Sequence, residues 1–388
     1  MAYAALDYYA LDDLFTHEER VVRDTVRELV SSRVMPGIGK HFSAGTFPHE
    51  LVPVFGEMGL LGPSLTGYGC AGVTPSAYGL ICQELERGDS GIRSFCSVQS
   101  SLVMYPIWAF GSEEQKQKYL PDMASGKLIG CFGLTEPDFG SNPNGMLTTA
   151  KRVSGGYSIT GTKRWITNGS LAGVALVWAK VEGTVRGFLV PTKTPGFSAK
   201  DIHGKWSLRA SVTSELVLED VVVGEDALLP GVVGMKGPLS CLSQARFGIC
   251  YGAVGAAMAC YDEALSYAKD RVQFSRPIAG YQLVQQKLVE MVAAITQAQL
   301  LCWRLGKLKE ANQLKPSQIS LAKRTCVSMA RDVARDARDI LGANGITDEY
   351  QCGRHMLNLE SVYTYEGTHD IHTLVVGQDV TGLAAFDG

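Results

Sequence analysis

Nowhere does this chain carry the run of about 20 apolar residues that a bilayer-crossing helix needs; residues 249–260, the best candidate, are too few and are rich in Gly and Ala. A membrane span is therefore not expected. An excess of charge of one sign is missing too: 36 Lys and Arg stand against 39 Asp and Glu, a formal net charge of -3. Nucleic acid is not an expected partner, and any anionic ligand has to be met by local positive charge. The ten cysteines include no CxxC pair and lie among apolar neighbours. That suits reduced core thiols rather than a disulfide framework or a structural metal. His203, His369 and His372 have no supporting ligands at metal-binding spacing, so they are read as structural or solvent-facing and no metal is expected. Residues 1–15, with Asp7, Asp12 and Asp13, resemble neither a secretory signal nor an Arg-rich transit peptide. The expected compartment is the cytoplasm in a bacterium, or the mitochondrial matrix if a eukaryotic presequence has been trimmed.

What is present is ordinary globular material, 46% hydrophobic and 19% charged over 388 residues, enough for two or three domains. Its texture changes twice. Residues 1–130 read as a helical N-terminal domain. Thr16 and Glu19 form a capping box ahead of Val22, Val26, Leu29 and Val30. Thr74 with Pro75, and Ser112 with Gln115, open further helices. Residues 131–236 read as short β runs broken by Gly and Pro, among them 157–160, 174–181, 187–191 and 215–223, with a turn at Ser154, Gly155 and Gly156. A small antiparallel barrel or sandwich is expected. In residues 237–388 the helical period returns: Val284, Leu288, Met291, Val292 and Ile295 share a face, and no proline interrupts 278–313, allowing a helix of about 40 Å. A second long helix is expected over 316–343. The fold class is thus α+β, mainly α, with a C-terminal helical bundle.

Four segments carry residues suited to chemistry. Residues 132–143, reading FGLTEPDFGSNP, offer backbone N–H groups and the hydroxyls of Thr135 and Ser141, in what could equally be an ordinary loop. In 161–168, GTKRWITN, extended backbone puts Trp165 and Thr167 on one side, where one can stack on a ring and the other bond its edge; a core Trp is the alternative. Residues 270–278, DRVQFSRPI, interrupt two long helices with guanidinium groups around Phe274, as a solvated helix end also would. In 364–370, TYEGTHD, Glu366 reads as a surface carboxylate or as a base.

In their order these segments resemble the acyl-CoA dehydrogenase family, over essentially the whole chain. The resemblance implies that family's fold, with a C-terminal four-helix bundle, and FAD as cofactor. It implies flavin contacts from Phe132, Leu134, Thr135, Trp165 and Thr167, with Ser141 near flavin and acyl-CoA phosphates. Arg271, Phe274, Gln282, Asp339, Gly342, Thr368 and Asp370 are the remaining implied FAD contacts, several of them across a subunit interface of a homotetramer. Ala343 stands where relatives usually have a second glycine, which puts the contact at Gly342 in question. Glu366 is implied to take the α-proton of the acyl thioester while hydride leaves the β-carbon for the flavin. Burial would raise its pKa towards that of the weak carbon acid, and hydrogen bonds to the thioester oxygen would stabilise the enolate. Some relatives carry the base just before the first arginine of the C-terminal helices; here that position is Ala245, which cannot serve.

Substrate choice turns on 86–104. An arginine in an acyl tunnel is unfavourable unless paired, so Arg93 reads either as ion-paired with Glu86 or Asp89, or as a ligand. The run from Arg93 through Ser94 and Ser97 to Met104 resembles the glutaryl-CoA dehydrogenases of the family, which implies that Arg93, Ser94 and Ser97 bind a distal carboxylate. Glu86 and Tyr365 accompany Arg93 in decarboxylating members, implying conversion of glutaryl-CoA to crotonyl-CoA and CO2. Electron-transferring flavoprotein is the implied acceptor. Arg246 is expected at the CoA or thioester end of the pocket, although Ser243 departs from the usual Asn or Asp. A non-decarboxylating dehydrogenase, an oxidase or monooxygenase on the same fold, and a non-enzymatic acyl-CoA-binding protein are the alternatives.

Overall fold

A computed structural model describes residues 3–385. The N-terminal part folds as α1 (His17–Leu29), α2 (Met35–Ala44), α3 (Leu51–Glu57), α4 (Pro75–Gly88), α5 (Ser90–Ser97), α6 (Tyr105–Phe110) and α7 (Glu113–Ala124). The expected capping box of Thr16 with Glu19 is reciprocal and starts α1, and Ser112 with Gln115, which opens α7, forms a second one. Thr74 caps α4 by accepting from the Ala77 N–H at 3.2 Å. The helix that follows is enclosed, with every residue from Ser76 to Gly88 buried. Its charged side chains are therefore paired. Glu84 takes Arg27 and Arg87, each at 2.8 Å, and Glu86 takes Arg93 at 2.6 Å.

The strands follow: β1 (Gly130–Gly133), β2 (Thr149–Val153), β3 (Gly156–Thr167), β4 (Val174–Val181), β5 (Thr184–Pro191), β6 (Phe197–Asp201) and β7 (Thr213–Gly224). They form one sheet in the order β1-β4-β2-β3-β7-β6, with β5 also on β4. Most pairs are antiparallel, as expected, but β1 and β2 both run parallel to β4. A bulge breaks the β3–β7 register between Lys163 and Ile166.

The C-terminal bundle is built from α8 (Lys236–Asp270), a hairpin of β8 (Val272–Gln273) and β9 (Arg276–Pro277), α9 (Gln282–Glu310), α10 (Pro316–Ile340), α11 (Cys352–Thr364) and α12 (His369–Thr381). The uninterrupted apolar period over 278–313 becomes α9, whose first turn waits until after the hairpin. Pro316 supplies the first turn of α10.

Two glycines let α8 lie against α4. A Cβ on Gly255 would stand 1.9 Å from the Gln83 carbonyl oxygen, and one on Gly252 would stand 2.0 Å from a Glu86 carboxylate oxygen. The helices can therefore approach backbone to backbone, and α8 roofs over the Glu86–Arg93 pair. A second junction centres on buried Asp89, which accepts from the Gly91 N–H at 2.7 Å and from Asn358 Nδ2 at 2.9 Å. Arg354 pairs with the same carboxylate at 3.1 Å. Asn358 in turn accepts from the Leu208 N–H at 2.8 Å, so one buried cluster ties α5, the loop before β7 and α11 together. Among the described residues no helix is long and apolar enough to cross a membrane.

The substitution Gly255→Ala should lower the melting temperature, equivalent to about 1–3 kcal/mol of overpacking. Gly377→Ala on α12, where a Cβ meets nothing within 4 Å, should leave it unchanged or raise it slightly. Thermal melts of the two variants side by side check this.

Candidate active site

Glu366 sits in the tight connector between α11 and α12. Tyr365 closes α11, while the Thr368 hydroxyl starts α12 by accepting from the Ile371 N–H at 3.1 Å. With so few residues between two helices the backbone turns sharply: Glu366 has φ +52° and Gly367 +94°. A left-handed conformation is uncommon for a residue with a side chain and invites a functional reading. The turn aims the Glu366 carboxyl inward, where Oε2 is buried with no hydrogen-bond partner in the protein. Burial raises the pKa of this carboxyl, against the opposing pull of Arg93, Lys323 and Arg246.

The cations come from three other helices. Arg93 on α5 is wholly buried, donating from Nε to Glu86 and from Nη2 to the Tyr365 hydroxyl. Burial disfavours its charge, but Glu86 and Tyr365 outweigh this and its pKa is raised. Arg93 Nη1, Glu86 Oε1 and the Ser97 hydroxyl remain buried and unpartnered, and Ser94, on the same helix, is 2% exposed. Arg246 on α8 donates from Nε to the Glu366 carbonyl at 2.6 Å. It thus lies beside the connector, while Ser243, one turn earlier, bonds back to the Leu239 carbonyl. Ala245 is buried in the core.

A second group forms at the sheet edge. Glu136 and Lys163 make a buried pair at 2.9 Å, and Glu136 also accepts from the N–H groups of Leu147 and Thr148 at 2.6 and 2.9 Å. Burial would raise the Glu136 pKa, yet Lys163 and these donors bring it below the usual value. Burial takes Lys163 down to about 8, against the pull of Glu136. Lys163 Nζ further donates to the Leu134 carbonyl, and the Arg164 N–H to the Thr135 carbonyl. With those carbonyls used internally, what this segment offers a ligand is N–H groups and the Thr135 hydroxyl. The β3 bulge gives Trp165 φ +63°, so the backbone there is not the extended one expected, and leaves it 57% exposed, with Thr167 half-buried two residues on. Phe132 and Leu134 are buried behind, and Ser141 is exposed on the adjoining loop.

Comparison with known proteins decides the family. Residues 16–127, 131–221 and 233–381 match the models for the N-terminal, middle and C-terminal domains of acyl-CoA dehydrogenase. The chain belongs to the acyl-CoA dehydrogenase family. It is 34% identical over 372 residues to the mitochondrial short-chain specific acyl-CoA dehydrogenase of Bos taurus, covering 93% of this chain and 89% of that one. It is also similar to two crystal structures of glutaryl-CoA dehydrogenase from Mycobacterium smegmatis. One matches at TM-score 0.96 and 56% identity over 97% of this chain and 98% of the other. The second, a complex with FADH2, matches at 0.98 and 51% over 99% and 100%.

For an acyl-CoA dehydrogenase the sheet edge has the right form. An exposed, backbone-fixed indole beside two partly buried hydroxyls and free N–H groups fits a planar ring with polar edges, as a flavin has. The other residues implied by the resemblance lie apart from this edge. Arg271, Phe274 (90% exposed) and Gln282 are exposed on and just after the β8–β9 hairpin. Asp339, exposed at the end of α10, pairs with Lys287, and Asp370 is exposed on the first turn of α12. Gly342 has φ +60°, whereas Ala343 has no positive φ, so the methyl that departs from the usual glycine sits on ordinary backbone. Of the three histidines read as structural or solvent-facing, His372 is buried, and burial together with Lys323 and Arg246 brings its pKa down to about 3.

Sequence reasoning missed Lys323 and Gly252. A signal existed for the first: on α10 Ile319, Ala322, Cys326, Val327 and Ala330 mark a buried face, and Lys323 interrupts it. For Gly252 no local signal exists, because the reason for it is a contact with another helix.

Replacing Lys163 with Met strands the Glu136 carboxylate in a buried site. Removing one partner of such a pair is worth about 3–5 kcal/mol. We expect a lower melting temperature and faster loss of flavin on dialysis, read as absorbance retained by the protein.

Proposed function

We propose that this acyl-CoA dehydrogenase uses FAD to oxidise glutaryl-CoA and decarboxylates the product to crotonyl-CoA. One observation carries the reading: a fully buried arginine, Arg93, keeps an unpartnered Nη1, and Ser97, one helical turn further along α5, keeps an unpartnered buried hydroxyl. A hydrocarbon tail would leave both donors unsatisfied at an unfavourable desolvation cost. A distal carboxylate accepts from both, with Ser94 as a further donor. The likeness to the two Mycobacterium smegmatis glutaryl-CoA dehydrogenases supports this choice. The bovine relative is a short-chain enzyme, which makes simple desaturation of a short acyl-CoA the second reading.

In the proposed reaction Glu366 accepts the α-proton of the thioester. Its raised pKa narrows the gap to that weak carbon acid. FAD, when bound, supplies the acceptor for the hydride that leaves the β-carbon. The bond to the distal carboxylate then breaks and CO2 departs. Its electron pair spreads over a dienolate, to which Glu366 returns a proton. Arg93, flanked by Glu86 and Tyr365, orients the carboxylate until it leaves, and Arg246 steadies the connector at the thioester end. Phe132, Leu134, Thr135, Trp165, Thr167 and Ser141 hold the cofactor within one chain. Arg271, Phe274, Gln282, Asp339, Gly342, Thr368 and Asp370 complete the site in a homotetramer. Electron-transferring flavoprotein takes the electrons onward.

Anaerobic turnover of glutaryl-CoA with an artificial electron acceptor should yield crotonyl-CoA and CO2 in equal amounts. Accumulation of glutaconyl-CoA without CO2 would overturn decarboxylation. In the same assay Glu366→Gln should abolish bleaching of the flavin by substrate, and bleaching at the wild-type rate would remove Glu366 as the base. Arg93→Met should lower the ratio of kcat/KM for glutaryl-CoA over butyryl-CoA by the equivalent of about 2–5 kcal/mol. Because the ratio is internal, a general loss of folded enzyme does not alter it.

A further inference from the structure

We propose that Lys323 is a positioning residue for the reaction, acting on Glu366 through the backbone on both sides of it. The inference rests on Glu366 being the base. Lys323 projects from the buried face of α10 and is 2% exposed. Its Nζ donates to the Tyr365 carbonyl at 2.5 Å and to the Gly367 carbonyl at 2.7 Å. The carbonyl between them, that of Glu366, accepts from Arg246. Three successive carbonyls are thus held by two cations.

This clamp has a geometric consequence. Across a trans peptide the carbonyl of one residue and the N–H of the next point in opposite directions. With the Tyr365 carbonyl turned to Lys323, the Glu366 N–H is turned away from α10, free to serve a thioester oxygen. The clamp also opposes the strain of the turn. A left-handed residue with a Cβ is disfavoured by about 1–2 kcal/mol, and without the ammonium the connector can relax and carry the carboxyl with it. A compact cation with three rotatable donors suits two carbonyls that diverge from one point better than a planar guanidinium.

Lys323 acts on the base a second time, through its charge. The groups facing Glu366 are Glu86 on α4, Arg93 on α5, Arg246 on α8 and Lys323 on α10, and the three cations oppose the rise in its pKa. Cys250 and His372 also lie close to Lys323. Burial draws Lys323 itself down to about 7, against the pull of Glu366. Removing this cation leaves the carboxyl with a higher pKa. A base works as its carboxylate, so the rising limb of the pH–rate profile moves to higher pH.

Flavin reduction by substrate, followed across pH, tests this with Lys323→Met, Lys323→Arg and, as a control for the loss of a half-buried lysine elsewhere in the bundle, Lys309→Met. Lys309 donates to Gln244 at 2.7 Å and lies over the Phe247 ring. Lys323→Met should reduce the flavin about 100-fold more slowly, as a base displaced by about 1 Å does, with KM changed only a few-fold. Its rising limb should shift to higher pH, and Lys323→Arg, which keeps the charge, should shift it less. The infrared carboxyl band that Glu366→Gln removes should titrate at higher pH in Lys323→Met, a readout independent of turnover. A wild-type rate and limb in Lys323→Met, or a loss matched by Lys309→Met with an unmoved limb, would overturn the proposal. The two readings fail separately: if Glu366→Gln still bleaches, the base assignment falls. If Glu366→Gln is dead while Lys323→Met is normal, only the clamp falls.

Discussion

Two carboxylates drawn inward, Glu86 fully buried and Glu366 with its Oε2 buried, set the terms for what surrounds them. An ionised carboxylate loses heavily on desolvation unless cations and donors replace its water. Arg93 answers Glu86 directly, and Arg93, Arg246 and Lys323 together oppose the neutralisation of Glu366. Arg93 and Lys323 are buried too and Arg246 is half-buried, and each donates to a further fixed acceptor: the Tyr365 hydroxyl, the carbonyls of Tyr365 and Gly367, and the Glu366 carbonyl, respectively. The connector between α11 and α12 is therefore both the carrier of one carboxylate and the acceptor surface for the cations that stabilise it.

The packing of the three regions follows from this need. The charges come from α4, α5, α8, α10 and the α11–α12 connector, and no two adjacent helices could supply them all. Gly252 matters because α8 must close over the Glu86–Arg93 pair without a side chain in the way. The Asp89 cluster, tying α5 to α11 and to the loop before β7, keeps the helix that bears Arg93 in register with the helix that ends at Tyr365. The sheet contributes a separately braced edge, in which the Glu136–Lys163 pair spends the polar groups of the loop on one another and leaves Trp165 outward.

Much of this is legible in the sequence where the cause is local. Capping boxes at Thr16 and Ser112, the proline starts at Pro75 and Pro316, and the β runs from Tyr157 to Val223 depend on neighbours within a few residues. So does the interruption at 270–278, which removes the first turn that an uninterrupted apolar period would otherwise allow α9. The family likeness rests on short segments such as FGLTEP and TYEGTHD, whose order is visible without coordinates. What stays hidden depends on contacts between distant elements. The parallel pairing of β1 and β2 with β4, the bulge that fixes Trp165, and the vacancy that makes Gly252 necessary all belong to tertiary packing. Lys323 lies between: its position on a buried face can be seen, but its partners cannot.

The same charges also bear on which acyl group the pocket suits. Arg93, although its charge is met by Glu86, keeps an Nη1 with no acceptor. Under the proposed reading a neutral acyl tail would leave that donor unsatisfied, whereas a distal carboxylate accepts from it. Under the proposed reaction the substrate's negative charge then migrates along the conjugated chain as CO2 leaves, from Arg93 towards the thioester. Glu366 in its acid form, beside Arg246 and Lys323, then returns the proton to the γ-carbon that lost CO2, as formation of crotonyl-CoA requires. Proton return restores the Glu366 carboxylate among its three cations, the state in which it accepted the α-proton.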